Sequence, residues 1–268
     1  ERCGGEAIVI NNQWGTQTDL NTVEDLLAKH PDIKVLAFVH AETSTGVRND
    51  AKALCELANK YQCLTIVDAV TSLGGIELKV DDWGIDAIYS GSQKCLSCVP
   101  GISPVSFSDR AVSLIQNRKT KVQSWFLDMN LIVGYWGSGA KRAYHHTAPV
   151  NSMYAMYESL LMLREEGLEN AWQRHQRGHE ALAQGLEALN LTLAVDKNYR
   201  LPQLNVVEIP SGVNDADVRQ RLLNEFNLEI GAGLGEFAGK VWRIGLMGYA
   251  CKPRNIDHCL AALKQVLK

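Results

Sequence analysis

The sequence predicts an α/β protein: a doubly wound, mostly parallel sheet within residues 1–167, followed by a smaller α+β unit within residues 168–268. Three observations carry this. Continuous apolar runs of strand length at 32–40 and 63–68 alternate with amphipathic helical patterns, which implies right-handed crossovers and a parallel sheet. A helical pattern running from Asn151 to about Gln184 is broken at Gly167, a natural place for one unit to hand over to the next. Beyond it come one strand, a helix, two short strands joined by glycines and a last helix.

In chain order, EAIVI at 6–10 reads as a strand. Asn21 with Glu24 forms a capping-box pattern opening a helix that Pro31 ends. The run at 32–40 reads as a strand buried on both faces. Helix 50–61 places Ala51, Leu54, Leu57 and Ala58 on one face. The strand at 63–68 ends in Asp68, and the strand at 87–89 ends in the small residues Ser90, Gly91 and Ser92. Residues 110–150 show little periodicity. In the long helical pattern, Met153, Met156, Tyr157, Leu160 and Leu163 recur at three- and four-residue steps and are expected to pack in a core. A strand within 201–210 stops at Pro210, Asn214 caps a helix over 215–226, and a helix opening at Pro253 presents Ile256, Leu260, Leu263 and Leu267.

Composition narrows the function. Apolar residues make up 46% and charged residues 21%, ordinary for a globular protein. A net charge of −3 supplies no basic field for nucleic acid. No apolar run approaches the ~20 residues of a membrane span. Of seven cysteines, Cys55, Cys63 and Cys259 fall in apolar segments, as reduced core thiols do in a cytosol-like compartment. Cys95 and Cys98 form a C-x-x-C without a second pair at metal-site spacing, so no metal is expected. Gly231, Gly233 and Gly235 precede another strand rather than a helix, which rules out a dinucleotide fingerprint.

The chemistry concentrates at Lys94 and Asp68. Lys94 follows a run of small residues and has no acidic neighbour in sequence. A lysine at the end of a strand is commonly a surface residue, but in a semi-apolar pocket it becomes a usable nucleophile. Asp68 ends a buried strand, where open α/β sheets place their ligands. A carboxylate and a lysine converging on one crevice are the pair that pyridoxal phosphate requires. Arg243 stands on an otherwise apolar strand and needs an anion, either a structural ion-pair partner or a ligand carboxylate. Thr43 follows the strand at 32–40 and serves either as a turn residue or as a hydroxyl facing a ligand. Ser44 and Asn49 read as turn residues.

The segments VDAVTSLGG (67–75), GIDAIYSGSQK (84–94) and PGISPVSFS (100–108) resemble the class V aminotransferases among the fold-type I pyridoxal phosphate enzymes. Within that family they are most similar to the alanine–glyoxylate and serine–pyruvate group, and the likeness runs over nearly the whole chain. The resemblance implies a cofactor held by Lys94, with Asp68 on its pyridine nitrogen, Thr43 on its phenolate oxygen and Gln93 on its phosphate. It implies a homodimer in which Tyr144 and Thr147 reach the neighbouring subunit's cofactor phosphate, while His145 and His146 pack or line the interface. Arg243 matches the residue that binds the substrate carboxylate. Alanine or serine is the implied donor, glyoxylate or pyruvate the acceptor, and the cytoplasm the compartment, with peroxisome and mitochondrion open. Other class V readings are a ureidoglycine–glyoxylate aminotransferase, or a desulfurase or lyase. The chain starts at Glu1 in mid-domain by the family pattern, so a non-catalytic fragment is a further expectation.

Overall fold

The computed structural model describes residues 3–136 and 144–268. The first stretch departs from expectation: 6–10 forms no strand, and Ile8 and Val9 are exposed. A strand exists by pairing its backbone groups, and no described strand pairs with this run. Helix α1 (Leu20–Lys29) is capped by Asp19 rather than Asn21. The Asp19 carboxylate accepts from the Asn21 and Thr22 amides, and its charge suits a helix N-terminus better than an amide does. Glu24 turns away from the cap to pair with Lys60.

Strand β1 (Val35–Val39) leads into a small hairpin, β2 (Ala41–Glu42) with β3 (Val47–Arg48), and then α2 (Ala51–Lys60). Next come β4 (Leu64–Asp68), β5 (Ala87–Tyr89) and β6 (Val105–Phe107). The main sheet has the order β1-β4-β5-β6, with β1, β4 and β5 parallel and β6 antiparallel at the edge. Side chains alternate between its two faces. Phe38, Val67 and Ile88 pack with Cys55, Ala69, Leu78 and Ile85, and α1 meets α2 through Val23, Leu27, Leu54 and Ala58. The other face is open: Val35, Ile66, Tyr89 and Val105 each leave about 40% of their surface exposed. The strands expected to be buried on both sides are therefore buried on one, and Asp68 lies on the open side with Ile66.

The stretch that looked aperiodic holds α3 (Asp109–Gln116), capped by the Ser108 hydroxyl, and α4 (Met129–Trp136). Helix α5 (Val150–Glu166) and α6 (Leu168–Ala188) are separated by Gly167 at φ +85°, as its sequence position predicts. The apolar stripe of α5 is not core: Met156 is buried, whereas Met153, Tyr157 and Leu160 are exposed. Periodicity marked an apolar face, but in this chain little covers it.

The remaining elements are β7 (Leu204–Glu208), α7 (Asp215–Phe226), β8 (Gly231–Ala232), β9 (Val241–Gly245) and α8 (Pro253–Val266). They form an antiparallel sheet in the order β7-β9-β8. Its core joins Leu182 and Leu186 of α6 to Leu222, Trp242, Ile256 and Leu263. Asn214 caps α7 as expected, and Pro253 opens α8 where its missing N–H costs nothing. Among the described residues no helix is long and apolar enough to cross a membrane.

One buried charge locks the main sheet. Asp86, 3% exposed, accepts from the Thr65 amide (2.9 Å), the Ser108 hydroxyl (2.8 Å) and Arg110 Nε (2.9 Å). Burial raises its pKa, but the Arg110, Thr65 and Ser108 bonds outweigh this and hold the carboxyl below its ordinary value. A depressed folded pKa gives stability that is present above the unfolded value and lost as pH falls through the folded one. Asp86→Asn is expected to lower unfolding free energy by about 1–3 kcal/mol at pH 7. In urea titrations that gap should shrink as pH drops below about 4.

Candidate active site

Three chain segments leave the sheet side by side because three strand ends are in register. Val39 pairs with Asp68, and Asp68 with Tyr89. The loops that follow, beginning at His40, Ala69 and Ser90, therefore start at one edge, where an open α/β sheet forms its ligand crevice. Asp68 is fixed there by its surroundings. Its carbonyl accepts the His40 amide (3.0 Å), Oδ1 accepts the Val70 amide (2.8 Å) and Oδ2 accepts the Tyr89 hydroxyl (2.8 Å). A carboxylate has more acceptor sites than these two donors use.

Lys94 sits in a turn made rigid on both sides. Its carbonyl accepts the Ser97 amide, the Ser92 hydroxyl donates to Val99 O (2.6 Å), and the buried Cys95 thiol contacts Thr71 O (3.3 Å). The side chain is half-buried, and among the described residues its amine has no hydrogen-bond or ion-pair partner. Gln93 folds back over Gly91: a Cβ on Gly91 would lie 2.8 Å from Gln93 Oε1. Cys95 and Cys98 are free thiols, and burial pushes Cys95 up to about 12, far from a reactive thiolate. Among the described residues no cluster could hold a metal ion.

Arg243 and Thr43 meet directly. On β9, Arg243 Nε donates to Ala232 O (2.7 Å) and Nη1 donates to Thr43 O (3.1 Å). Among the described residues no carboxylate pairs with it. Ser44 donates through both its amide and its hydroxyl to Glu42 Oε1, and Asn49 bridges Val39 O and the Thr18 amide. Ser44 is a turn residue as expected, whereas Asn49 lies just past β3 and Asp50 caps α2. Thr43 has no such bond through its hydroxyl among the described residues, so it stays available. His40, just before this loop, is buried with Nδ1 unpartnered, and burial, then the Arg48 charge, pushes its pKa down to about 4.

Tyr144 and Thr147 lie together and exposed, their hydroxyls bonded to each other. No hydrogen bond joins them to Asp68, Lys94 or Arg243 among the described residues. His145 stacks on Trp125 with centroids 4.1 Å apart, which makes it a packing residue. Its Nδ1 meets His146 Nδ1 at 2.7 Å, whereas adjacent side chains on a strand point to opposite faces. That rule holds for strands, and 144–149 is not one. Sequence reasoning missed two residues here. Tyr89 looked like strand filling until register set it opposite Asp68. Gln203, fully buried, donates to Thr71 O (3.0 Å) across 132 positions that no local pattern reports.

The profile of the class-V aminotransferases matches residues 1–251. The chain belongs to that family. It is 42% identical over 270 residues to the alanine–glyoxylate aminotransferase of Rattus norvegicus, covering 100% of this chain and 65% of that relative. The crystal structure of an alanine–glyoxylate aminotransferase from Nostoc sp. superposes with a TM-score of 0.93 at 50% identity, covering 97% of this chain and 68% of that one. A ureidoglycine–glyoxylate aminotransferase from Bacillus subtilis gives 0.93 at 39%, covering 96% and 66%. The chain thus spans about two thirds of the length of the relatives it matches. The fold is that of the fold-type I pyridoxal phosphate enzymes, to which the class-V family belongs.

The lysine turn depends on Gly248. At φ +55°, an added Cβ there would lie 2.7 Å from Cys95 O and would strike the Ser97 hydroxyl. Gly248→Ala is expected to lose about 1–3 kcal/mol of stability, measured by urea unfolding, because the strained φ adds to the clash.

Proposed function

We infer that the protein is a pyridoxal phosphate-dependent aminotransferase that moves the amino group of a small amino acid, alanine or serine, to glyoxylate or pyruvate. The observation that carries this reading is a lysine amine and an arginine fork, neither with an acidic partner among the described residues, beside an aspartate that two donors hold at a strand end. That donor set fits the cofactor: an amine for its aldehyde, a carboxylate for its ring nitrogen and hydroxyls for its oxygens. When bound, the cofactor supplies an electron sink for the charge that develops at the substrate α-carbon.

The chain's own residues supply the rest. Lys94 Nζ would hold the cofactor and move the proton at the substrate α-carbon. Asp68 would hold the pyridine nitrogen in its protonated form. The Thr43 hydroxyl would serve the phenolate oxygen and Gln93 the phosphate. Tyr144 and Thr147 present exposed hydroxyls suited to the phosphate of a neighbouring subunit in a homodimer. Arg243 binds the α-carboxylate and orients the bond to be broken. The proposal assigns residues 1–167 to the cofactor-binding unit and 168–268 to the smaller unit, and places the protein in the cytoplasm. The higher identity to an alanine–glyoxylate than to a ureidoglycine–glyoxylate enzyme, 50% against 39%, favours alanine as donor.

Reduction of the cofactor-loaded protein with borohydride, then digestion and mass spectrometry, is expected to find the label on Lys94 alone. Label on another lysine, or on none, would sink the reading. Arg243→Lys is expected to lower kcat/KM about 100-fold with a rise in KM, since an ammonium keeps the charge but not the fork. Lys94→Ala is expected to reduce turnover to background in the same assay.

A further inference from the structure

Tyr89 stands opposite Asp68 in the β4/β5 register, on the open face of the sheet. Its hydroxyl donates to Asp68 Oδ2 at 2.8 Å while the Val70 amide holds Oδ1 at 2.8 Å. Each carboxylate oxygen therefore has one fixed donor, and rotation about Cβ–Cγ would break both bonds. Burial, and after it the Asp68 carboxylate, pushes the Tyr89 phenol up to about 12. The hydroxyl therefore keeps its proton through the neutral range.

We propose that Tyr89 is a positioning residue: it sets the plane of the Asp68 carboxylate, and with it the direction in which that carboxylate meets the cofactor's ring nitrogen. This rests on the assignment of Asp68 to the pyridine nitrogen made above. The physical reason is direct. A carboxylate accepts best near its own plane, so two donors that fix the plane also fix the line along which a ring N–H would be held. A hydrogen bond to a charged group is also among the stronger kinds, so its loss is measurable.

The test uses the full-length holoenzyme, with Tyr89→Phe and Asp68→Asn compared to the unaltered protein. Two quantities are read: the dissociation constant of pyridoxal phosphate from the apo form, and the nitrogen-15 resonance of a ring-labelled cofactor. Tyr89→Phe is expected to weaken cofactor binding about tenfold and to move the resonance toward its unprotonated position. A purely structural tyrosine would leave the resonance in place. 3-Fluorotyrosine at position 89, which keeps the donor, is expected to restore both binding and the resonance; it also serves if Tyr89→Phe fails to fold. If Asp68→Asn shifts both readings and neither Tyr89 variant does, the role of Tyr89 is overturned while the site assignment stands. If Asp68→Asn shifts neither, the assignment of Asp68 falls and takes this inference with it.

Discussion

The parallel pairing of β4 between β1 and β5 is the constraint on which the site depends. Backbone bonds set Val39, Asp68 and Tyr89 on one line across the sheet. From that line the chain leaves three times, into the Thr43 loop, into the turn at Val70 and Thr71, and into the Lys94 turn. A register slip of one residue in β4 would move Asp68 to the helix-covered face and remove both of its donors. The chemistry is thus placed by strand pairing, and the loops only finish the placement. Asp86 reinforces this from the opposite ends of the same strands, binding the Thr65 amide of β4 and Ser108 after β6.

The second sheet matters because it grips those loops. Gly46 packs against Val206 of β7 so closely that an added Cβ would lie 2.5 Å from a valine methyl. Val47 forms a bridge with Arg200, and Gln203 donates to Thr71 O. Thr71 O thus receives both Gln203 and the thiol of Cys95, the residue after the lysine. The loop after Asp68, the Lys94 turn and the start of β7 are held at one carbonyl. Gly248 completes the arrangement by lying against Cys95 from the far end of the chain.

Much of this was legible in the sequence, and what was missed has a common cause. Helix ends defined by local chemistry were readable: Asn214 and Pro253 begin helices where their side chains predict, and Gly167 separates two. The end of β4 at Asp68 was readable in the same way, because an apolar run giving way to small polar residues is a local signal. The strand read at 6–10 and the core read along α5 fail for another reason. Apolar periodicity says that a face is apolar, and burial requires a partner that periodicity does not identify. Ile8, Met153 and Tyr157 are apolar and exposed for this one reason. Tyr89 and Gln203 act through pairings distant in sequence. Asp19 displaced Asn21 as a cap through a contest between two good capping residues, decided by charge and reach.

Arg243 shows how the β2–β3 turn and the C-terminal sheet together orient one side chain. Two of its donors are committed to Ala232 O and Thr43 O, which fixes the guanidinium plane without neutralising its charge. Neutral carbonyls orient a cation far more cheaply than a carboxylate does, because a carboxylate would also cancel the field meant for a ligand. The plane held in this way leaves Nη2 without a protein partner among the described residues. A Cβ at Gly231 would stand 3.5 Å from that nitrogen, in ordinary contact. A lysine could bring the charge but not the plane. Under the proposed function, a carboxylate would meet the remaining guanidinium donors in that plane.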